Sequence, residues 1–593
     1  MDVEEILKSR TELDNFGNSK RLLFALETRF QPDDILAVAA NSLTDGTGDK
    51  KCDLVYVDAS SGVAIVAQGY EAGDLAKQEA PANKASDLNT AAGWLLTRPL
   101  EDIPPNLRSA CEELRKALTD NAIRTLQFWY VHNLPESDNV RQELITVEGT
   151  ASSALKKYFP KAEPIATIAT EVGRSTLANW YKALETPILV SDTFEIETQG
   201  GYEMKGKNWA AYVTAVRADW LHTIFNHYKS DLFSANLRGY LGSREKDSNI
   251  NHGIKETAST DPDHLFVFNN GITVIVSNYE AVDGKKLKVS GFSVVNGAQT
   301  TGAIGSLEKP PDPLASVQVR FIKCSDTETV LDVIQYNNSQ NRLEAADFRS
   351  NDPVQKRLRE EFSEMPQATY LGGRRGGHED IMKRTPNLLP TETCAQSLLT
   401  FHQEPVTAYN DKTAIWANDG LYARYFSDHI TAEHILFTYS LMRAVEARKA
   451  VLRAKKDEEL KDIEREQVAF FQQRGSTHLL TSAIAKCVET ILNKPIPNKF
   501  RLSFGKQVSP TVAQEYWQPI VEALSPLCDA LKPAIANVLN NHKLAAEAIS
   551  TFARLVASHE KFHRPTFDAF AVHVISYQPQ TAAAKPMPVA VKA

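Results

Sequence analysis

Three amide-rich clusters constrain this chain more than any other feature. They are Phe268-Asn269-Asn270-Gly271-Ile272, Val295-Asn296-Gly297-Ala298-Gln299-Thr300-Thr301 and Asn337-Asn338-Ser339-Gln340-Asn341. Each Asn or Gln side chain carries two amide donors and an acceptor oxygen, and burying these without partners is costly. Every cluster adjoins an apolar stretch, so the pattern predicts one polar site on a packed scaffold. Taken singly, Asn270-Gly271 and Asn296-Gly297 read as plain hairpin turns. Gln299-Thr300-Thr301 follows the second turn directly and is expected to open a helix, whose first N–H groups suit an anion.

The chain has 593 residues, too many for a single core, so roughly two to four domains are expected. A net charge of −8 and a pI near 6.0 argue against a strongly basic nucleic-acid coat but leave room for a local basic groove. The six cysteines form no C-x-x-C pair, which disfavours a zinc site or a disulfide framework and fits a reducing cytosol. The acidic start Met1-Asp2-Val3-Glu4-Glu5 does not resemble a signal peptide. No apolar run approaches the ~20 residues of a membrane span. The expectation is a soluble, cytoplasmic protein without a membrane partner.

Along the N-terminal part, helical spacing over 20–43 breaks near Gln31-Pro32. Two short strands follow at 53–58 and 63–68, with Ser60-Ser61-Gly62 as the turn. Ser86 is the expected cap of a helix through Trp94 and Leu96, and a further helix covers 105–118. A strand at 126–131 and a helix at 137–158 complete an α/β unit. In the central part, strands are expected at 264–269, 272–278, 286–295 and 317–323. Helices are expected at 205–229, 327–337 and 352–364, the last opened by Asp352-Pro353. From about 390 the pattern is helical. Thr431 caps a long helix that runs into a mixed-charge stretch at 446–466. The division is 1–185, 186–400 and 401–578, with a disordered Ala/Pro/Lys/Val-rich tail at 579–593. The fold class is a multidomain α/β and α+β protein with a helical C-terminal region.

The series Asn236-Leu237-Arg238-Gly239-Tyr240-Leu241-Gly242, Phe268-x-Asn270-Gly271-Ile272-Thr273, Val295-Asn296-Gly297-x-Gln299-Thr300-Thr301 and Asn338-Ser339-Gln340-Asn341 resembles the AIPR family of bacterial abortive-infection, or phage-resistance, proteins. The likeness covers about residues 225–405. It implies anti-phage defence, with nucleic acid as a partner, further defence proteins as candidate partners, and self-assembly through the helical region. A second likeness is to ParB/sulfiredoxin-like domains, in the order Asn296-Gly297-Ala298-Gln299-Thr300, the 317–322 strand and Asn338-x-Gln340. Together the two likenesses imply a nucleotide or nucleic-acid site at Arg238, Asn270, Asn296, Gln299, Thr300, Asn338 and Gln340. Gln299-Thr300 stand where that group has basic residues. Arg374 and Arg375, in the loop Gly372–His378, are candidate phosphate contacts, beside a plain reading as a surface loop.

AIPR proteins commonly carry an N-terminal domain resembling PD-(D/E)xK, restriction-endonuclease-like nucleases, and the α/β order here is compatible. That resemblance implies Mg²⁺ held by Asp53 and Gln68, with Glu27 as a further metal ligand and a lysine that stabilises developing charge. The usual Gln-x-Lys reads Gln68-Gly69-Tyr70 in this chain, and tyrosine cannot replace an ammonium. Lys84, at the start of the following helix, is the expected substitute, with Lys77 behind it. The expected activity is metal-dependent nucleic-acid cleavage. The alternatives are a catalytically degenerate DNA-binding module that regulates partner enzymes, and a nucleotide-switched protein.

Overall fold

The computed structural model describes residues 3–44, 48–162, 165–185, 188, 190–228, 232–233, 248–282, 285–338, 349, 352–370, 388–427 and 429–576. It is a mixed α/β protein with several sheets and a helical C-terminal region.

The N-terminal unit begins with helices α1 (Lys20–Phe30) and α2 (Ile35–Ser42). The expected hairpin follows as β1 (Leu54–Asp58) and β2 (Val63–Tyr70). Its turn is held by Asp58, whose carboxylate accepts from the Ser60 N–H and from the Ser60 and Ser61 hydroxyls. The chain then crosses over through α3 (Ala82–Thr97) and α4 (Pro105–Thr119) to β3 (Thr125–His132), and through α5 (Asp138–Tyr158) to β4 (Ala166–Val172). The sheet order is β1-β2-β3-β4. The first pair is antiparallel and the other two are parallel. Side chains alternate between its faces. Val55, Ala64, Val66, Phe128 and Tyr130 enter a core under α3, α4 and α5. Leu54, Tyr56, Ile65, Ala67 and Trp129 enter another that runs on into the central unit. Burying such a side chain fully contributes about 1.5–3 kcal/mol, so both faces bind the sheet firmly.

The central unit is a six-stranded sheet in the order β5-β6-β10-β7-β9-β8. The strands are β5 (Val190–Lys205), β6 (Trp209–Arg217), β7 (Ile272–Ile275), β8 (Asn278–Ala281), β9 (Lys286–Asn296) and β10 (Ser316–Cys324). The long β5 pairs with β9 through its first half and with β6 through its second, so the sheet closes on itself. Helix α6 (Ala218–Tyr228) lies between β6 and β7, helix α7 (Ala298–Gly305) lies between β9 and β10, and helix α8 (Thr327–Asn338) follows β10.

Several expected elements differ. The helix expected over 205–229 exists only as α6, because Trp209–Arg217 pairs residue for residue with β10. Strand pairing there overrides the helical preference of an Ala-rich segment. The strand expected at 264–269 is a short helix, Leu265–Phe268. Helix α3 starts at Ala82, so Ser86 lies in its second turn rather than at its cap.

The C-terminal unit contains α9 (Pro353–Ser363), α10 (Thr391–Phe401), α11 (Ala432–Ala454), α12 (Asp462–Phe471) and α13 (Ser476–Lys486), among other helices. Asp352 and Thr431 cap α9 and α11 as expected. The long helix stops at Ala454 instead of running to 466, since the chain turns at Lys455. The Lys455 ammonium then reaches Glu464 on α12 at 2.6 Å, so the mixed charges pair across the turn rather than along one face. The C-terminal core already includes Leu358, Phe362 and Tyr370, which a division at 400 assigns to the central region. Among the described residues no helix is long and apolar enough to cross a membrane.

Candidate functional site

The hairpin register brings Asp53 and Gln68 together. Leu54 pairs with Ala67, and the Asp53 N–H donates to the Ala67 carbonyl at 2.9 Å. One step further along the ladder, Asp53 stands opposite Gln68. Both belong to the face that carries Val55 and Val66, beneath α3. One Asp53 carboxylate oxygen accepts from the Gly69 N–H at 2.7 Å. Burial pushes the Asp53 carboxyl up to about 6, with the Gly69 hydrogen bond opposing. Asp49 adds to the rise, while Lys84 and Lys51 counter it.

Gln68 is 6% exposed, and its side-chain carbonyl oxygen has no hydrogen-bond partner among the described residues. A buried unpaired oxygen beside a carboxyl held off its ordinary value is a place where a cation would fit. The same row continues across the sheet, Gln68 beside Tyr130 and Tyr130 beside Glu171. Glu171 is engaged by His132 at 3.0 Å, and the Tyr130 hydroxyl donates to the Pro81 carbonyl at 3.3 Å.

Lys84 lies in the first turn of α3, 3.7 Å from Asp87. Lys51 meets the same Asp87 oxygen at 3.5 Å. Asp49, Lys51 and Asp87 were not singled out by sequence reasoning. The available signal was the run Asp49-Lys50-Lys51 just ahead of Asp53. Gly48, Lys50 and Lys51 all have left-handed backbone, with φ of 86°, 54° and 68°. Such a conformation costs a lysine roughly 1–2 kcal/mol. The Lys50 ammonium sits 4.6 Å from the centre of the Trp94 ring on α3, which anchors this turn to the helix.

The remaining N-terminal residues make other contacts. Glu27, on α1, pairs with Arg10 at 2.5 Å. Lys77 is exposed. Tyr70 is half-buried and packs against the core under α3.

The first two amide clusters meet at one corner of the central sheet, and Asn337 of the third reaches the same corner. The Asn269 amide donates to the Thr300 hydroxyl at 3.0 Å, joining the first cluster to the second. Arg320, in the middle of β10, donates to Thr273 at 2.9 Å and to Asn337 at 3.1 Å, joining the first to the third. Neither Asn269 nor Arg320 was among the expected binding residues. The signal for Arg320 was a cation flanked by Val319 and Phe321 in the middle of a strand. Asn296 accepts from the Gly297 N–H at 2.7 Å and so tightens its own turn. Gly297 has φ of 87°, and a Cβ there would lie 2.9 Å from the Gly271 carbonyl oxygen. Asn270 is exposed, Gln299 is half-buried in the first turn of α7, and Thr300 is buried. Asn338 ends α8. Arg238, Gln340, Arg374, Arg375 and the 579–593 tail lie outside the described residues.

Among the described residues, Asp261, Asp263 and His264 form a fully exposed group of metal-capable side chains. Protein comparison adds one finding: a family model described as AIPR protein matches residues 233–543. The match takes in the amide corner and most of the helical unit, while Asp53, Gln68 and Lys84 precede it. No curated protein and no solved structure matches.

Proposed function

The chain belongs to the AIPR protein family, membership that suggests a role in anti-phage defence, and from this premise we propose that it hydrolyses nucleic-acid phosphodiester bonds at Asp53 and Gln68. The observation that carries the reading is the buried Gln68 oxygen, without a hydrogen-bond partner among the described residues, on the residue opposite Asp53 in the ladder. Two oxygen donors of this kind suit a hard divalent cation such as Mg²⁺. When bound, Mg²⁺ would supply positive charge that polarises the phosphate and acidifies water. Asp53 and Gln68 would hold and orient it. Water attacks phosphorus, the P–O ester bond breaks, and the leaving oxygen takes up a proton. The Lys84 ammonium stabilises negative charge growing on the phosphoryl oxygens, the task that Tyr70 cannot perform.

The amide corner is the proposed recognition element. Arg320 brings a cation to the polar groups of Asn270, Asn296, Gln299 and Thr300, a combination suited to a phosphate and a base edge. The family resemblance adds Arg238, Asn338, Gln340, Arg374 and Arg375 to this element. The helical unit is the proposed surface for assembly with further copies or with other defence proteins.

Tyr70 favours a second reading, in which the N-terminal unit binds nucleic acid without cutting it. A metal screen with linear, nicked and single-stranded DNA and with RNA separates the two. Cleavage by the wild type but not by Asp53→Ala supports hydrolysis. Binding without cleavage in every metal supports the second reading.

A further inference from the structure

We infer that Asp87 positions two ammonium groups, those of Lys51 and Lys84, at the Asp53–Gln68 end of the sheet, so that two lysines rather than one serve the phosphate. The inference deepens the hydrolytic reading of this site and rests on it.

Lys51 and Lys84 come from different elements, a left-handed turn before β1 and the first turn of α3. They converge on one oxygen of Asp87, at 3.5 and 3.7 Å. The single Asp87 carboxylate holds both ammonium groups at this end of the sheet, where their charge opposes that of Asp49 on the Asp53 carboxyl. Both lysines act electrostatically on that carboxyl. The turn carrying Lys51 is held in place by Lys50 over Trp94, on the same helix that carries Lys84 and Asp87. A turn with left-handed residues at 50 and 51 is a costly way to place a solvated lysine, and backbone strain of this kind persists where surrounding contacts impose it. The buried Gln68 oxygen, without a hydrogen-bond partner among the described residues, gives the assembly a second, independent mark of a ligand site. On this account Lys51 and Lys84 contact substrate phosphate, while Asp87 is a positioning residue. Strand β2 can then carry Tyr70 in place of a lysine.

The test uses the full chain and the variants Lys51→Ala, Lys84→Ala, the double variant, Asp87→Ala and Asp87→Glu. Two quantities are read: Mn²⁺ affinity by calorimetry without nucleic acid, and kcat and KM for cleavage in Mg²⁺. Each single lysine variant should lose about tenfold or less in kcat, and the double variant about a hundredfold or more. The double variant should bind Mn²⁺ several-fold tighter, because two like charges are gone, and Asp87→Ala several-fold more weakly. Asp87→Glu should restore both quantities in large part.

If Lys84→Ala alone equals the double variant in kcat and in Mn²⁺ affinity, the second lysine has no role and the inference is overturned. Unchanged kcat and affinity in the double variant would make the trio a surface ion pair. Should the wild type bind Mn²⁺ through Asp53 but cut nothing, the hydrolytic reading fails, and the affinity shifts alone decide the lysine pair. Absence of Mn²⁺ binding in the wild type would overturn both.

Discussion

Arg474 and Glu113 form an ion pair that ties the helical C-terminal unit to α4 of the N-terminal unit. The same guanidinium donates to the Val55 carbonyl on β1, two residues from Asp53. The Arg474 N–H donates to the Ser109 hydroxyl at 3.2 Å, and the Tyr409 hydroxyl reaches Glu113 at 3.2 Å. A second tie joins Asp34, the cap of α2, to Arg443 on α11 and to the Thr393 hydroxyl. The strand that leads into the candidate site is therefore braced from the helical unit.

Removing Arg474 should be expensive. The Arg474→Ala variant takes a partner from the Val55 carbonyl and from Glu113, which is half-buried and keeps the Tyr409 hydroxyl, so the loss is expected at about 1–3 kcal/mol. Lysine should recover little of this, because it cannot reach both acceptors with a planar fork. Urea unfolding measures the loss. A change below about 1 kcal/mol would show that the pair does not brace the strand.

Asp53 should weaken the fold at neutral pH. Its carboxyl is raised from an ordinary value of 3.8 to about 6. Between about pH 4 and 6 the folded chain keeps a proton that the unfolded chain has released, so unfolding free energy falls as pH rises through that window. The Asp53→Asn variant should therefore gain on the order of 1–3 kcal/mol at pH 7 and nothing below about pH 4. Thermal melts of both proteins at pH 4 and pH 7 give the difference. A loss of stability at pH 7 would contradict the reading.

The close approach at Gly297 makes a sharp comparison. With φ of 87° and a would-be Cβ 2.9 Å from the Gly271 oxygen, Gly297→Ala should cost more than about 2 kcal/mol. Gly73 has nothing within 4 Å of its would-be Cβ, so Gly73→Ala should stay within about 0.5 kcal/mol of wild type. Equal effects in denaturant titration would remove the argument for a tight glycine corner.

Neighbouring asparagines in the first cluster should separate structure from recognition. The Asn269 side chain accepts from the Gly271 N–H at 2.8 Å and donates to Thr300, so Asn269→Ala should lose about 1–3 kcal/mol. Exposed Asn270 should tolerate alanine within about 0.5 kcal/mol, yet lower affinity for nucleic acid or nucleotide. Unchanged affinity in Asn270→Ala would remove that residue from the recognition surface.

Much of the N-terminal unit was legible in the sequence. Strong β-branched alternation at 54–57 and 63–66, bounded by a Ser-Ser-Gly turn, leaves little choice but a hairpin, and the register of Asp53 against Gln68 follows from it. The central sheet was less legible. Strand β6 is rich in alanine, and only its pairing with β10 makes it a strand. Asp49, Lys51 and Asp87 escaped notice because their meeting depends on how the turn before β1 packs against α3. Arg320 escaped because it gains meaning only from Thr273 and Asn337, which packing brings beside it. The convergence of the amide clusters was expected, but the residues that join them, Asn269 and Arg320, come from packing.

The central claim is that Asp53 and Gln68 form a metal-dependent cutting site. The most direct measurement is cleavage of DNA and RNA by the full chain in Mg²⁺ or Mn²⁺, set against Asp53→Ala folded to the same degree by circular dichroism. The account predicts cleavage by the wild type that EDTA abolishes and that Asp53→Ala lacks. Equal cleavage by both proteins, or none by the wild type in any metal, would contradict it.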